Sequence, residues 1–329
     1  MGRKLFITAK QLFEDHPVPV DWIAEPWLAS EAITELDGKA KSAGKTTFAL
    51  AMCKAILAGS EFLGKPTQRS AIVYLTEEST PSFRAALERS GIGADSDFHI
   101  LQWSCMFQLR TDGDSGSVWA GAVDAAIERA KKVGARVLVV DTFAQFAHLT
   151  GDKENSAGDI LEAMQPLQKA RDAGLAVLLI RHERKEGGSV GDSGRGSSAL
   201  SGVVDIVLRL HRPEGKHSEN VRKLDALSRF DGTPPETTIA LNCGHYEIIG
   251  TLNAVAHQSA MENVRSVLPF QRKNAMALEE VEKLTGSTRT TLQAAISMLE
   301  GEGFIAKCGA GKRGDPYRYF QVAAETPGP

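Results

Sequence analysis

The stretch Gly38-Lys39-Ala40-Lys41-Ser42-Ala43-Gly44-Lys45-Thr46-Thr47 decides how the rest of the chain is read. It follows an apolar run at 32–36 (AITEL) and leads into a helical pattern at 46–57, so it connects a strand to a helix. Small residues let such a connection curl until its backbone N–H groups converge, and the helix beginning near Lys45 adds the positive end of its dipole. This is the chemistry of a phosphate-binding loop, in which Lys45 reaches the β- and γ-phosphates and the Thr46 hydroxyl holds Mg2+. All ten residues are candidate nucleotide contacts, and ATP with Mg2+ are the implied ligands. The usual pattern is G-x-x-x-x-G-K-[ST]; here five residues separate Gly38 from Gly44. Either the loop is one residue longer, or its first turn is rearranged with Lys39 in the first glycine's place.

Three further strand ends carry chemistry that a triphosphate site needs. The run VLVVD at 137–141 ends in Asp141, which next to such a loop can accept from the Mg2+ water shell and from Thr46. YLTEES at 74–79 ends another strand with two acids. In-line attack on the γ-phosphate needs a carboxylate to orient or deprotonate the water, and Glu78 is the first candidate, Glu77 the second. LAVLLIRH at 175–182 leaves His182 just past a strand end, where a neutral imidazole can touch the γ-phosphate. Taken singly, each has a plainer reading: Asp141 caps a turn, Glu77 and Glu78 precede the helix at 81–90, and His182 lies on the surface. Their company with the loop favours the nucleotide reading.

Apolar runs at 32–36, 70–75, 98–103, 137–140, 175–180 and 203–210 alternate with helical patterns at 46–57, 117–132 and 155–173. Near-continuous apolar strands alternating with helices predict a doubly wound α/β domain with a mostly parallel sheet. From about Val221 strands joined by turn residues such as Asp231-Gly232 predict a closing antiparallel edge. Residues 187–198 (GGSVGDSGRGSS) are too rich in Gly and Ser for regular structure and read as a loop between two strands.

In order along the chain, GKAKSAGKTT, YLTEES, VLVVD, IRHERKEGG, RGSSALSGVVDIVLRL and LSRFDGTPPE resemble the motif series of RecA-like AAA-type P-loop ATPases. They are most similar to plasmid and phage replicative helicases of the RepA kind, and more distantly to ring helicases and KaiC-like ATPases. The resemblance covers about Trp22 to Gly250. It implies that Lys45 and Thr46 bind phosphate and Mg2+, that Asp141 is the Walker B acid, Glu78 the catalytic carboxylate and His182 the sensor. It also implies homo-oligomeric rings, often hexamers, in which an arginine from the next subunit stabilises transition-state charge. Arg229 in LSRFDG is the first candidate for that arginine and Arg195 in GRGSS the second. The Gly-rich loop, with Arg184, Lys185 and Arg195, stands where relatives carry loops that face the ring channel and single-stranded DNA.

Near residues 250–258 the pattern breaks, dividing the chain into an ATPase domain at 1–252 and a second unit at 253–329. The second unit shows helical patterns at 260–268, 278–284 and 288–301, with Ser287 as the expected cap of the last, then strand patterns at 304–307 and 317–320 around a turn at 309–315. This order resembles an α+β winged helix-turn-helix. Its third helix would turn Ser287, Thr288, Arg289, Thr291 and Gln293 outward, able to meet phosphates and base edges of duplex DNA, with Lys312, Arg313 and Arg318 on the wing. Such modules also bind proteins.

The chain has 329 residues, 42% of them apolar and 24% charged, with 38 Lys+Arg against 41 Asp+Glu. This near balance gives no bulk attraction to nucleic acid, so any DNA surface must be local. Cys53, Cys105, Cys243 and Cys308 are scattered without a CxxC pair and read as reduced thiols of a cytoplasmic protein. The first residues lack the apolar core of a signal peptide, and no apolar run is long enough to span a bilayer, so no membrane partner is expected. The sequence therefore predicts an ATP-hydrolysing ring on DNA, a replicative helicase or replication factor; the alternative is an ATP-dependent regulator, loader or scaffold that does not unwind.

Overall fold

The computed structural model describes residues 6–15, 20–40, 43–94, 96–109, 118–182, 200–213, 218–242, 244–250, 252–312 and 314–322. The chain divides into two compact units, Met1–Ile248 and Ile249–Pro329. In the first, the elements run α1 Ala9–Asp15, β1 Trp22–Ala24, β2 Leu28–Ala29, β3 Ile33–Asp37, α2 Lys45–Ala58, β4 Ala71–Thr76, α3 Thr80–Ser90, β5 Phe98–Gln102, α4 Val118–Val133, β6 Ala135–Asp141, α5 Phe143–Phe146, α6 Ala157–Asp172, β7 Ala176–Ile180, β8 Ile206–His211, β9 Val221–Ser228, β10 Glu236–Asn242 and β11 His245–Gly250.

A nine-stranded sheet in the order β11-β10-β9-β8-β3-β7-β6-β4-β5 forms the frame. The six strands from β8 to β5 pair in parallel, and β9 turns the sheet antiparallel against β8 and β10. The parallel strands are apolar along their length because both faces are covered. On one face α2 buries Phe48, Met52 and Ile56 against Leu36, Tyr74 and Ile180. On the other, α4 and α6 bury Trp119, Val123, Ile160 and Met164 against Leu75, Val140 and Leu179. Each such fully buried side chain contributes about 1.5–3 kcal/mol of transfer free energy. Local chemistry sets the helix limits: Gly59 closes α2 in a left-handed conformation, and the Ser156 side chain accepts from Asp159 N–H at the start of α6.

This is an α/β architecture with a mostly parallel central sheet covered by helices on both faces. One strand, β7, lies between β3 and β6. Parallel strands point their carboxyl ends to one edge of a sheet, so the segments after β3, β4, β6 and β7 gather there.

The second unit contains α7 Leu252–Val267, β12 Met276–Ala277, α8 Leu278–Thr285, α9 Arg289–Gly301, β13 Ile305–Cys308 and β14 Arg318–Gln321. Its strands form an antiparallel sheet in the order β12-β14-β13. Val264, Leu268, Val281, Leu292, Ile296, Leu299 and Ile305 make its own core. Two local expectations are corrected. Helix α7 begins at Leu252 rather than 260, so helix occupies most of the expected break. Thr288, not Ser287, caps α9: its side-chain oxygen accepts from Thr291 N–H, which leaves Ser287 in the preceding turn. Among the described residues no helix is long and apolar enough to cross a membrane.

Candidate functional site

The loop after β3 begins at a tightly enclosed glycine. A Cβ on Gly38 would lie 2.4 Å from the Leu210 carbonyl oxygen and 2.9 Å from the Ala43 Cβ, so this position must be glycine. Gly44 has φ 85 and is the N-cap of α2. Lys45 is buried, and its ammonium donates to the carbonyl oxygens of Gly38 at 2.8 Å and Lys39 at 3.2 Å, inside the curl of the loop. Gly38, Lys39, Ala40, Ala43, Gly44, Thr46 and Thr47 are placed with it; Lys41 and Ser42 lie outside the described residues.

Asp141 ends β6 level with Thr76 on β4 and Ile180 on β7. Its Oδ2 accepts from the Thr46 hydroxyl at 2.9 Å and from the Tyr74 hydroxyl at 2.8 Å. Burial pushes the Asp141 carboxyl from its ordinary 3.8 up to about 6, opposed by those two hydrogen bonds and reinforced by the charges of Glu77 and Glu78. Tyr74 lies deeper still, and its phenol is held well above its ordinary range by burial and by Asp141. The donor set suits Mg2+: an aliphatic hydroxyl and a buried carboxylate are both hard oxygen ligands, and they already converge.

Glu77 and Glu78 follow β4 at the same edge. The Glu77 backbone N–H donates to Asp141 O at 2.9 Å, and its carboxylate accepts from the Thr142 hydroxyl at 2.8 Å. The Glu78 carboxylate accepts from Ser82 on α3. Glu77 is thus tied directly to the Asp141 strand end, whereas the Glu78 carboxylate is held by α3. His182 follows β7 two residues beyond Ile180, which is level with both Leu36 and Asp141. The strand order therefore brings His182 between the phosphate loop and the acidic strand end.

The two candidate arginines do not join this group. Arg229 follows β9 at the opposite end of the sheet, where its backbone N–H donates to Asp205 O and its guanidinium meets Gly202 O and the Asp205 carboxylate, the latter at 3.5 Å. Arg195, like Arg184 and Lys185, lies outside the described residues. The arginine that does meet the loop is Arg222, at the other end of β9, whose Nε donates to Ala43 O at 3.0 Å. The sequence pattern carries no sign of this, because the direction of β9 decides which of its arginines reaches the loop.

A buried ion pair links two of the central strands. Arg181 donates from Nη1 to Glu35 Oε1 at 2.7 Å, with side-chain exposures of 6% and 2%. It joins the strand that leads to the loop with the strand that leads to His182.

In the second unit Thr288, Arg289 and Gln293 are exposed on α9, whereas the Thr291 hydroxyl pairs with that of Thr288 at 2.9 Å. Lys312 is exposed; Arg318 lies 3.6 Å from Glu280 and donates to Ala275 O, so its charge is partly taken within the unit. Arg313 lies outside the described residues.

A family profile described as an AAA domain matches residues 5–188, more than half of the chain. No curated protein sequence matches it. Among solved structures, the chain is similar to a KaiC-like protein from the hyperthermophilic archaeon Pyrococcus horikoshii, with a TM-score of 0.49 and 16% sequence identity over 70% of this chain and 100% of the other.

Proposed function

Because the chain belongs to the AAA domain family, we propose that this RecA-like P-loop ATPase works as an ATP-driven ring on DNA, a replicative helicase or replication factor. The observation that carries the proposal is the meeting of Lys45, Thr46 and Asp141 at the sheet edge where Glu77, Glu78 and His182 also emerge. In this reading the loop and Lys45 hold the β- and γ-phosphates. Thr46 would hold Mg2+ directly and Asp141 its water shell, the metal supplying charge that offsets the phosphates. Glu78, with Glu77 beside it, orients the attacking water, and His182 contacts the γ-phosphate.

A neighbouring copy, in a ring such as a hexamer, supplies the arginine that stabilises transition-state charge, Arg229 in the first place and Arg195 in the second. Arg229 suits delivery in trans because it sits at the far end of the sheet from its own loop and its side chain is 58% exposed. The second unit acts as a winged helix-turn-helix, with Thr288, Arg289 and Gln293 offered to duplex DNA.

A specific observation favours the alternative of a loader, scaffold or regulator. The second unit exposes Phe270 at 68% and Phe304 at 38%, aromatic surface suited to a protein partner. The deciding experiment measures ATPase rate and oligomer size with and without single-stranded DNA, then unwinding of a forked duplex. A helicase gives DNA-stimulated hydrolysis and strand separation. Slow hydrolysis indifferent to single strands, with tight binding of one duplex sequence or a protein, refutes the motor reading and leaves the regulator.

A further inference from the structure

The antiparallel extension of the sheet reaches the Ala43–Gly44 peptide of the phosphate loop. Arg222, the second residue of β9, donates from Nε to Ala43 O at 3.0 Å, and its Nη1 is held by the backbone oxygens of Glu219 and Val221. Tyr246 on β11 packs edge-on against Phe48 of α2, with ring centroids 5.4 Å apart. Its hydroxyl oxygen lies 3.6 Å from where a Cβ on Gly44 would stand. Two strands that follow the loop by more than a hundred residues thus bracket the Ala43–Gly44 peptide, where the chain enters α2.

This peptide is the last of the loop before α2 begins. A cradle works only if its N–H groups aim inward. In a trans peptide the carbonyl and the next N–H lie in one plane and point in opposite directions. A donor on Ala43 O therefore aims Gly44 N–H the other way, toward the inside of the loop. Burial lowers the proton affinity of Arg222, and the like charge of Arg212 lowers it further, against the opposing influence of Tyr246 and Glu219.

We infer that Arg222 is a positioning residue of the nucleotide site: its hydrogen bond to Ala43 O fixes the Ala43–Gly44 peptide so that Gly44 N–H faces the phosphates. This rests on the nucleotide-binding reading above. The phosphates that loop N–H groups hold are common to ADP and ATP, so a positioning role affects both ligands alike, whereas direct contact with the γ-phosphate would affect ATP alone.

The test is calorimetric titration of the full chain with Mg-ADP and Mg-ATP, using the unaltered protein, Arg222→Met and Arg222→Lys. The methionine keeps the aliphatic stem and removes every donor; the lysine keeps stem, charge and one donor. Arg222→Met is expected to weaken both nucleotides by about tenfold and by the same factor, and Arg222→Lys to recover part of the loss. Unchanged affinities in Arg222→Met, or a loss confined to ATP, overturn the inference. Should Arg222→Met fail to fold, Arg222→Lys decides: weakening of both nucleotides by about threefold supports the role, and unaltered affinity removes it. If the unaltered chain binds neither nucleotide, the ATPase reading itself falls and Arg222's role with it; binding by the unaltered chain with no loss in the variants removes only Arg222.

Discussion

Replacing Asp141 by Asn is expected to stabilise the free protein at neutral pH while abolishing Mg2+-dependent hydrolysis. Asp141 is buried, and its carboxyl titrates near 6 rather than at its ordinary 3.8. At about 1.4 kcal/mol per pH unit, holding the charged form in the fold costs about 3 kcal/mol. The sign follows from the two protonation states. Below about pH 4 the carboxyl is protonated whether folded or unfolded, and the cost is absent. As pH rises through about 6, the unfolded chain has already ionised and the folded one must bury the charge, so stability conferred by the neutral acid is lost. An asparagine carbonyl can still accept from Thr46 and Tyr74, and carries no charge. The variant is therefore expected to unfold with a free energy about 1–3 kcal/mol higher than the parent at pH 8, roughly 2–10 °C in Tm, with the difference vanishing toward pH 4. Urea or thermal unfolding from pH 4 to 8, without nucleotide or magnesium, measures it. A variant less stable than the parent at pH 8, or a difference independent of pH, refutes the burial argument.

Lys45→Ala is expected to weaken ATP by at least about a hundredfold while leaving the melting profile close to that of the parent; full ATPase in that variant would overturn the placement of the loop. Arg181→Met strands the Glu35 carboxylate in the core and is expected to cost about 3–5 kcal/mol in denaturant unfolding. Adding Glu35→Met is expected to return much of that loss, and a double variant no more stable than the single would show that the two groups are not coupled. Arg229→Ala and Glu78→Ala are each expected to bind ATP without turnover, and mixing the two to restore part of it at composite interfaces. Rings that stay intact but show no rescue exclude Arg229 as the arginine given in trans.

The fold was legible because its strands announce themselves. VLVVD, LAVLLI and SAIVYL are largely buried in the structure, and no polar position interrupts them, so the apolar runs alone located the sheet and the strand ends that meet at its edge. Lys45, Thr46 and Asp141 followed from that, since a loop motif and a strand-end acid meet wherever parallel strands share an edge. What escaped depends on partners distant in sequence. Tyr74 reads as one more apolar residue until β4 and β6 are aligned and its hydroxyl is found on Asp141. Arg222 and Arg229 are equivalent in a string of letters; only the reversed direction of β9 sends one to the loop and the other to the far end. Glu35 and Arg181 lie in separate runs of the sequence, and only the side-by-side alignment of β3 and β7 pairs them. The cap of α9 slipped by one residue because Ser287 and Thr288 are equally competent caps, and the turn after Gly286 chose between them.

The Glu35–Arg181 pair has one more consequence. Side chains alternate across a strand, so sliding β7 by a single residue against β3 would turn the guanidinium through the sheet into the layer of Phe48 and Met52, with no carboxylate to meet it. Apolar neighbours alone would forgive such a slip, since Val, Leu and Ile substitute for one another in a greasy layer. A lone cation and anion do not. The pair works as a key cut for one lock: the central strands close in a single alignment, and that alignment is the one that delivers His182 to the edge where Asp141 waits.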